Sequence, residues 1–213
     1  MIHEPGLPSK RIRRPVECRT CTSENGCFQH LGGPGMKKKL VAPQSLVGKF
    51  KELSMQNTIT RKETGGLLFA ELVNQEYIVN VLLIPKQKGV ADKWETVDET
   101  EVGVFSEQNT NLHMMGTIHT HPGFDARPSS VDLHQHFKIQ KDQQSSIAII
   151  VAPERNQSPF YTITPFGMTE LANCTADPTL NNGFHPHRSM KRLYAFATNV
   201  RINDMYLNVV DQR

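Results

Sequence analysis

The sequence predicts an α/β domain: a mixed central β-sheet flanked by helices, preceded by a short basic extension that contains cysteine and histidine. Three observations carry this. Segments with apolar residues at helical spacing alternate with short runs rich in Val, Ile and Leu, the pattern of interleaved helices and strands. Two of those runs, 65–72 and 77–84, are separated only by Val73-Asn74-Gln75-Glu76, so they pair as a hairpin. The stretch from Ser146 to Ala152 encloses Ile147-Ala148-Ile149-Ile150-Val151, apolar at each position, as expected of a strand buried on both faces.

The 213 residues fit one domain, 46–213, plus an irregular extension, 1–45. At 38% hydrophobic and 21% charged, the composition is that of an ordinary globular domain, and a net charge of +3 is too weak to argue for nucleic acid by itself. No apolar run approaches the ~18 residues of a membrane span. The start, Met1-Ile2-His3-Glu4-Pro5, lacks an apolar signal core, so the expected setting is cytoplasmic and reducing. The four cysteines then read as thiols or metal ligands rather than disulfides.

The extension is rich in Pro, Gly and basic residues. Lys10-Arg11-Ile12-Arg13-Arg14 and Lys37-Lys38-Lys39 flank a cluster, Cys18-x2-Cys21-x5-Cys27-x2-His30. Two readings stand. The four soft ligands close around a structural zinc, or the segment is a solvated basic tail. The basic runs suit an acidic partner or a nuclear address.

Ser45 to Gln56 predicts a helix capped by Ser45, with Leu46, Val47, Phe50 and Leu53 as its core-facing stripe. The hairpin strands follow, and Lys86-Gln87-Lys88-Gly89 ends them. Asp98 to Glu107 predicts a second helix, with Val102, Val104 and Phe105 at helical spacing. Leu112 to His119 is a strand and Ser129 to Lys141 a third helix. After the buried strand come shorter ones at 161–164 and 168–173. The stretches 193–200 and 206–210 finish the sheet.

The chemistry concentrates in 114–137. Met114-Met115-Gly116-Thr117-Ile118 leads into His119-Thr120-His121, two histidines on one strand face. Pro122-Gly123 breaks the strand, and Ser129-Ser130-Val131-Asp132 opens a helix. Two imidazoles and a carboxylate one turn into a helix can share one cation and leave a fourth position for water, as in catalytic zinc. Ser129-x-x-Asp132 is equally an ordinary capping pattern. Asp125 lies in the loop but lacks the fixed spacing of Asp132. Trp94 and Phe124 read as packing or loop-anchoring residues, and His113 and His136 as histidines without a chemical role. Asp132 and His134 point about 200° apart around a helix, so they cannot serve the same metal.

His119-Thr120-His121-Pro122 followed by Ser129-Ser130-Val131-Asp132 resembles the signature of the JAMM (MPN+) metalloproteases. Further blocks resemble the AMSH branch of deubiquitinases: Glu63-Thr64-Gly65-Gly66-Leu67-Leu68, Val81-Leu82-Leu83-Ile84-Pro85-Lys86-Gln87, Ser129 through His136, and Gly183-Phe184-His185-Pro186-His187. The resemblance covers 46–213. It implies the cytidine-deaminase-like MPN fold and a zinc isopeptidase that cleaves lysine-63-linked ubiquitin chains with a metal-activated water. It implies two zinc ions. His119, His121 and Asp132 would hold the catalytic one; His134, Cys174, His185 and His187 would hold a structural one. Glu63 would be the general base, and Ser129 would donate to the developing oxyanion. Phe184 would contact the proximal ubiquitin, and the segment from about Lys86 to Leu112 the distal one. The 174–184 loop is longer than in close relatives, which bears on chain-type preference. The implied partners are ubiquitin, polyubiquitin and the endosomal sorting (ESCRT) machinery, with endosome association and no nucleic acid. Two other classes remain: a non-catalytic MPN scaffold that binds ubiquitin, which would lack a ligand this sequence has, and a nucleic-acid-associated protein using the basic N-terminus.

Overall fold

The computed structural model describes residues 39–164, 167–171 and 200–213. Among these residues the chain runs β1 (Lys39–Pro43), α1 (Leu46–Ile59), β2 (Gly65–Val73), β3 (Glu76–Ile84), β4 (Gln87–Gly89), β5 (Trp94–Thr96), α2 (Glu99–Gln108), β6 (Leu112–Thr120), α3 (Ser130–Asp142), β7 (Ile147–Val151), a short 3-10 turn at Pro153–Arg155, β8 (Phe160–Thr164), β9 (Gly167–Leu171), β10 (Val200–Asn203) and β11 (Asn208–Asp211). The architecture is the expected α/β one, a large mixed sheet with helices on it.

The main sheet has the order β10-β1-β3-β2-β6-β7-β8-β9, with β11 also on β3. β2 and β3 form the expected antiparallel hairpin. Val73 pairs with Glu76, leaving the two-residue turn Asn74-Gln75 with φ of 48° and 69°. Positive φ at both central positions is the turn whose twist matches the flanking strands. β6 pairs antiparallel with β2 and parallel with β7. All five residues of β7 are buried, as its continuous apolar run requires.

Alternation along β2 divides the core. Leu68 and Ala70 join Leu46 and Phe50 of α1 in the main cluster. Leu67 and Phe69 join Trp94 in a second cluster, against which Val102 and Phe105 of α2 pack, with the Phe69 and Phe105 rings 5.1 Å apart and edge-on. A third cluster holds Ala126, Ala148, Ile150 and Tyr161. α3 packs against β6, β7 and β8, and Gln140 anchors it by donating to the Ile163 carbonyl and accepting from the Ile163 amide.

Several expectations change. β1 lies within the stretch read as extension, yet Leu40, Val41 and Ala42 are buried and pair with both β3 and β10. Its partners are distant in sequence, so local pattern gives no sign of it. α1 runs on to Ile59, and the Ser45 hydroxyl caps no N–H. Ser45 takes helical rather than extended backbone angles, which prevents its side chain from reaching back. Lys86 to Gly89 does not simply end the hairpin, because Gln87–Gly89 pairs with Trp94–Thr96 as a separate small sheet. Val104 of α2 is exposed, as is Phe124, which therefore anchors nothing in the core. Trp94 is buried, and His113 stacks edge-on with Tyr77 at 5.3 Å.

Candidate metal centre

The centre forms where β2 and β6 end together. Gly65 pairs with His119, and Thr120 points to the opposite face from the two histidines. There the Thr120 hydroxyl accepts from the Thr64 amide at 2.9 Å, while the Thr120 amide donates to the Thr64 carbonyl at 2.9 Å. Asn57 of α1 donates to the Thr64 hydroxyl at 2.9 Å. These bonds staple the Glu63-Thr64 segment to the His119–His121 strand end. On the β7 side the His121 amide donates to the Val151 carbonyl at 2.8 Å.

His119 Nε2 lies 3.1 Å from His121 Nε2 and 3.0 Å from Asp132 Oδ1, and His121 Nε2 lies 3.5 Å from Asp132 Oδ2. One donor atom from each of the three sits within 4.8 Å of the others, and all three residues are buried. A tetrahedral ion with ligands at about 2.0–2.1 Å sets its ligand atoms about 3.3 Å apart, so this spacing fits zinc. The donor chemistry agrees. His121 Nδ1 is 3.0 Å from the Asp125 carbonyl, which can only accept. Nδ1 therefore carries the proton, and the Nε2 lone pair faces His119 and Asp132. Lone pairs and a carboxylate converging in a buried space call for a cation.

Asp132 is placed by the start of α3. The Ser129 hydroxyl accepts from the Asp132 amide at 3.2 Å, and the Ser129 amide donates to Asp132 Oδ2 at 2.6 Å, a reciprocal capping box. The capping and ligand readings of Ser129-x-x-Asp132 are thus one arrangement: the cap aims the carboxylate. Burial by itself would raise the Asp132 carboxyl, but the His119 and His121 rings beside it, with the Ser129 amide, outweigh this and hold the group well below the usual carboxylate range. Burial opposes the charged form of His121, yet the Asp132 carboxylate beside it, with the Asp125 carbonyl and Glu63, leaves its pKa raised.

Glu63 is buried, with Oε1 3.8 Å from His121 Nε2. Burial pushes its carboxyl up to about 8, against the pull of His121 and with Asp132 and Asp92 adding to the rise. A dication among the histidines and Asp132 would draw it down again.

The structure therefore brings together Glu63, His119, His121, Ser129 and Asp132. His134 lies on the exposed side of α3, its Nδ1 2.7 Å from the Ser130 carbonyl, away from the buried centre. Cys174, Phe184, His185 and His187 lie outside the described residues, as do Cys18, Cys21, Cys27 and His30. The Asp125 side chain does not face the cluster. It pairs with Arg127, while its backbone carbonyl holds His121. Two contributors leave no mark in the sequence. Tyr161 of β8 donates to the Ala126 carbonyl at 2.7 Å, and Glu154 in the turn after β7 accepts from the Gly123 amide at 3.1 Å; both steady the 122–128 loop.

The family model described as prokaryotic homologs of the JAB domain matches residues 52–164. The chain is 34% identical over 176 residues to STAM-binding protein of Rattus norvegicus, covering 83% of this chain and 40% of the relative. It is 33% identical over 174 residues to AMSH-like protease of Homo sapiens, covering 82% and 38%. It is 32% identical over 176 residues to AMSH-like ubiquitin thioesterase 1 of Arabidopsis thaliana, covering 79% and 34%. The chain thus spans 40% or less of the length of these relatives. With its strand-borne histidine pair, capped aspartate and mixed sheet, the chain belongs to the JAB (MPN) domain family.

Proposed function

We propose that this protein is a zinc-dependent deubiquitinating isopeptidase of the JAMM type that hydrolyses lysine-63-linked polyubiquitin. The observation that carries the reading is the buried His119, His121 and Asp132 donor set with Glu63 3.8 Å from His121. Relatives named as proteases and ubiquitin thioesterases support it.

In this reading His119, His121 and Asp132 hold the ion. Zinc, when bound, supplies a Lewis acid that polarises the scissile carbonyl and acidifies water. Glu63 accepts the proton of the attacking water and passes it to the lysine Nζ as the carbon–nitrogen bond breaks and the carbon–oxygen bond forms. Ser129 accepts from the Asp132 amide, which leaves its own hydroxyl hydrogen to donate to the carbonyl oxygen as charge develops there. His121 keeps its ring fixed through Nδ1 and the Asp125 carbonyl. Closed, water-poor surroundings strengthen each of these interactions.

The proposal extends to a second, structural zinc held by His134, Cys174, His185 and His187, and to Phe184 as a contact of the proximal ubiquitin. Partners in endosomal sorting belong to the same reading. Among the described residues no helix is long and apolar enough to cross a membrane.

The test is incubation with di-ubiquitins of each linkage, with and without a zinc chelator. Chelator-sensitive cleavage, fastest for the lysine-63 linkage, is expected. Equal cleavage of every linkage would overturn the stated preference. No cleavage by zinc-replete protein would overturn the enzyme and leave a ubiquitin-binding scaffold.

A further inference from the structure

We propose that Gln87 is a positioning residue for Glu63, acting as a substitute strand partner for the backbone just beyond it. The inference rests on the reading of Glu63 as the proton acceptor. Glu63 precedes β2 and so lies outside the main sheet's ladder. The amides of residues 63, 64 and 65 each go to a different place. The Glu63 amide donates to the Val90 carbonyl at 2.8 Å, the Thr64 amide to the Thr120 hydroxyl at 2.9 Å, and the Gly65 amide to Gln87 Oε1 at 2.7 Å.

The last of these is unusual in kind. β2 and β3 pair through Leu67 and Leu83, and two residues further along the ladder Pro85 would come opposite Gly65. Proline has no N–H to donate, so β3 cannot continue there. The Gln87 amide fills the gap from the side chain. Oε1 accepts from the Gly65 amide, Nε2 donates to the Gly65 carbonyl at 2.8 Å, and Nε2 also reaches the Pro85 carbonyl at 3.2 Å. A primary amide has a donor and an acceptor spaced to satisfy both groups of one backbone residue. The Pro85-Lys86-Gln87 sequence thereby acquires a physical role.

Gln87 also begins β4, and the β4–β5 hairpin rests on Glu63. A Cβ added at Gly89 would stand 1.9 Å from the Glu63 carbonyl oxygen, and one at Gly65 would stand 1.9 Å from the Trp94 ring. The hairpin backbone and the Trp94 ring thus press directly on residues 63–65, and Gln87 sets the register between hairpin and sheet. None of these groups touches the donor atoms of His119, His121 or Asp132. Losing the Gln87 amide should therefore loosen Glu63 and leave metal binding intact. A displacement near 1 Å at a reacting group is enough to cost about 100-fold in rate.

The experiment compares wild type with Gln87→Met, which keeps length and removes both bonds, and Gln87→Glu, which keeps shape and sets a carboxylate against the Gly65 carbonyl. Full-length proteins are assayed on lysine-63-linked di-ubiquitin for kcat and KM, with zinc content and melting temperature measured beside them. A fall in kcat of ~10-fold or more is expected, with KM within about 2-fold and zinc content unchanged. Folded variants that keep wild-type kcat beside an active wild type would overturn this inference alone. So would loss of zinc or failure of both variants to fold, each of which makes Gln87 structural, and so would a rise in KM that accounts for the loss, which makes Gln87 a contact of the distal ubiquitin. An inactive wild type would overturn the proposed reaction, and this inference with it.

Discussion

Tyr161→Phe removes one hydroxyl and tests how the metal centre is held from outside its ligands. The phenol donates to the Ala126 carbonyl at 2.7 Å, and both residues are buried, with 6% and 3% of their surface exposed. Burial pushes the phenol's pKa up, so it remains a donor throughout the neutral range. Phenylalanine fills nearly the same space, so the loss is not a cavity. It is a buried carbonyl left without its partner, which costs about 1–3 kcal/mol. For a domain of this size, at about 2–4 °C per kcal/mol, that lowers the melting temperature by about 2–12 °C. The second effect follows from chain order. Ala126 adjoins Asp125, whose carbonyl accepts the His121 Nδ1 proton at 3.0 Å. Loosening Ala126 loosens that bond, and losses of this type weaken metal affinity about 10–100-fold. Denaturant unfolding of the metal-free protein reads the first effect. Competition for zinc against a chelator of known affinity reads the second. A stability loss with unchanged zinc affinity would refute the coupling from Tyr161 to His121, and no loss of either would refute the hydrogen bond itself.

Glu63→Ala should retain zinc and fold while losing cleavage by ~100-fold or more, since a general base contributes about that much; near-wild-type turnover would assign the base to another residue. Gly89→Ala places a Cβ against the Glu63 carbonyl, so the hairpin must shift and both activity and melting temperature should fall. A crystal structure of that variant with the 87–96 hairpin unmoved would contradict the close approach. His136 gives a pH prediction. Burial lowers its folded pKa to about 4, with Ser146 and Gln140 only partly offsetting this. The unfolded value is about 6.5. The unfolded chain therefore takes the proton first, so stability falls as pH drops from about 6.5 to 4, by about 3 kcal/mol in all. Chemical denaturation of wild type and His136→Phe across that window should show the shallower slope in the variant, and equal slopes would place the titration elsewhere.

Much of the centre is local chemistry, and for that reason the sequence by itself determined it. His119 and His121 share a face because strand side chains alternate. Asp132 faces them because Ser129 caps its helix three residues earlier, and both facts follow from spacing. The β2–β3 hairpin and the buried β7 are likewise short-range patterns. Glu63 was legible only through the motif resemblance, since one glutamate in a polar stretch has no periodicity to mark it. Its burial beside His121 depends on the pairing of Gly65 with His119, 54 positions apart in the sequence.

What only the tertiary structure decided is what depends on non-local pairing. β1 is five residues long and acquires its identity from β3 and β10, far along the chain. β4 and β5 are three residues each, too short for a pattern, and exist because Trp94 and Gly89 close on residues 63–65. The roles of Gln87, Tyr161 and the Asp125 carbonyl follow the same logic. Each is an ordinary residue or a backbone atom, and its effect comes from which buried donor or acceptor it meets after folding. Sequence spacing specifies groups that lie on one element. The groups that hold them in place come from other elements, and only the packed sheet selects those.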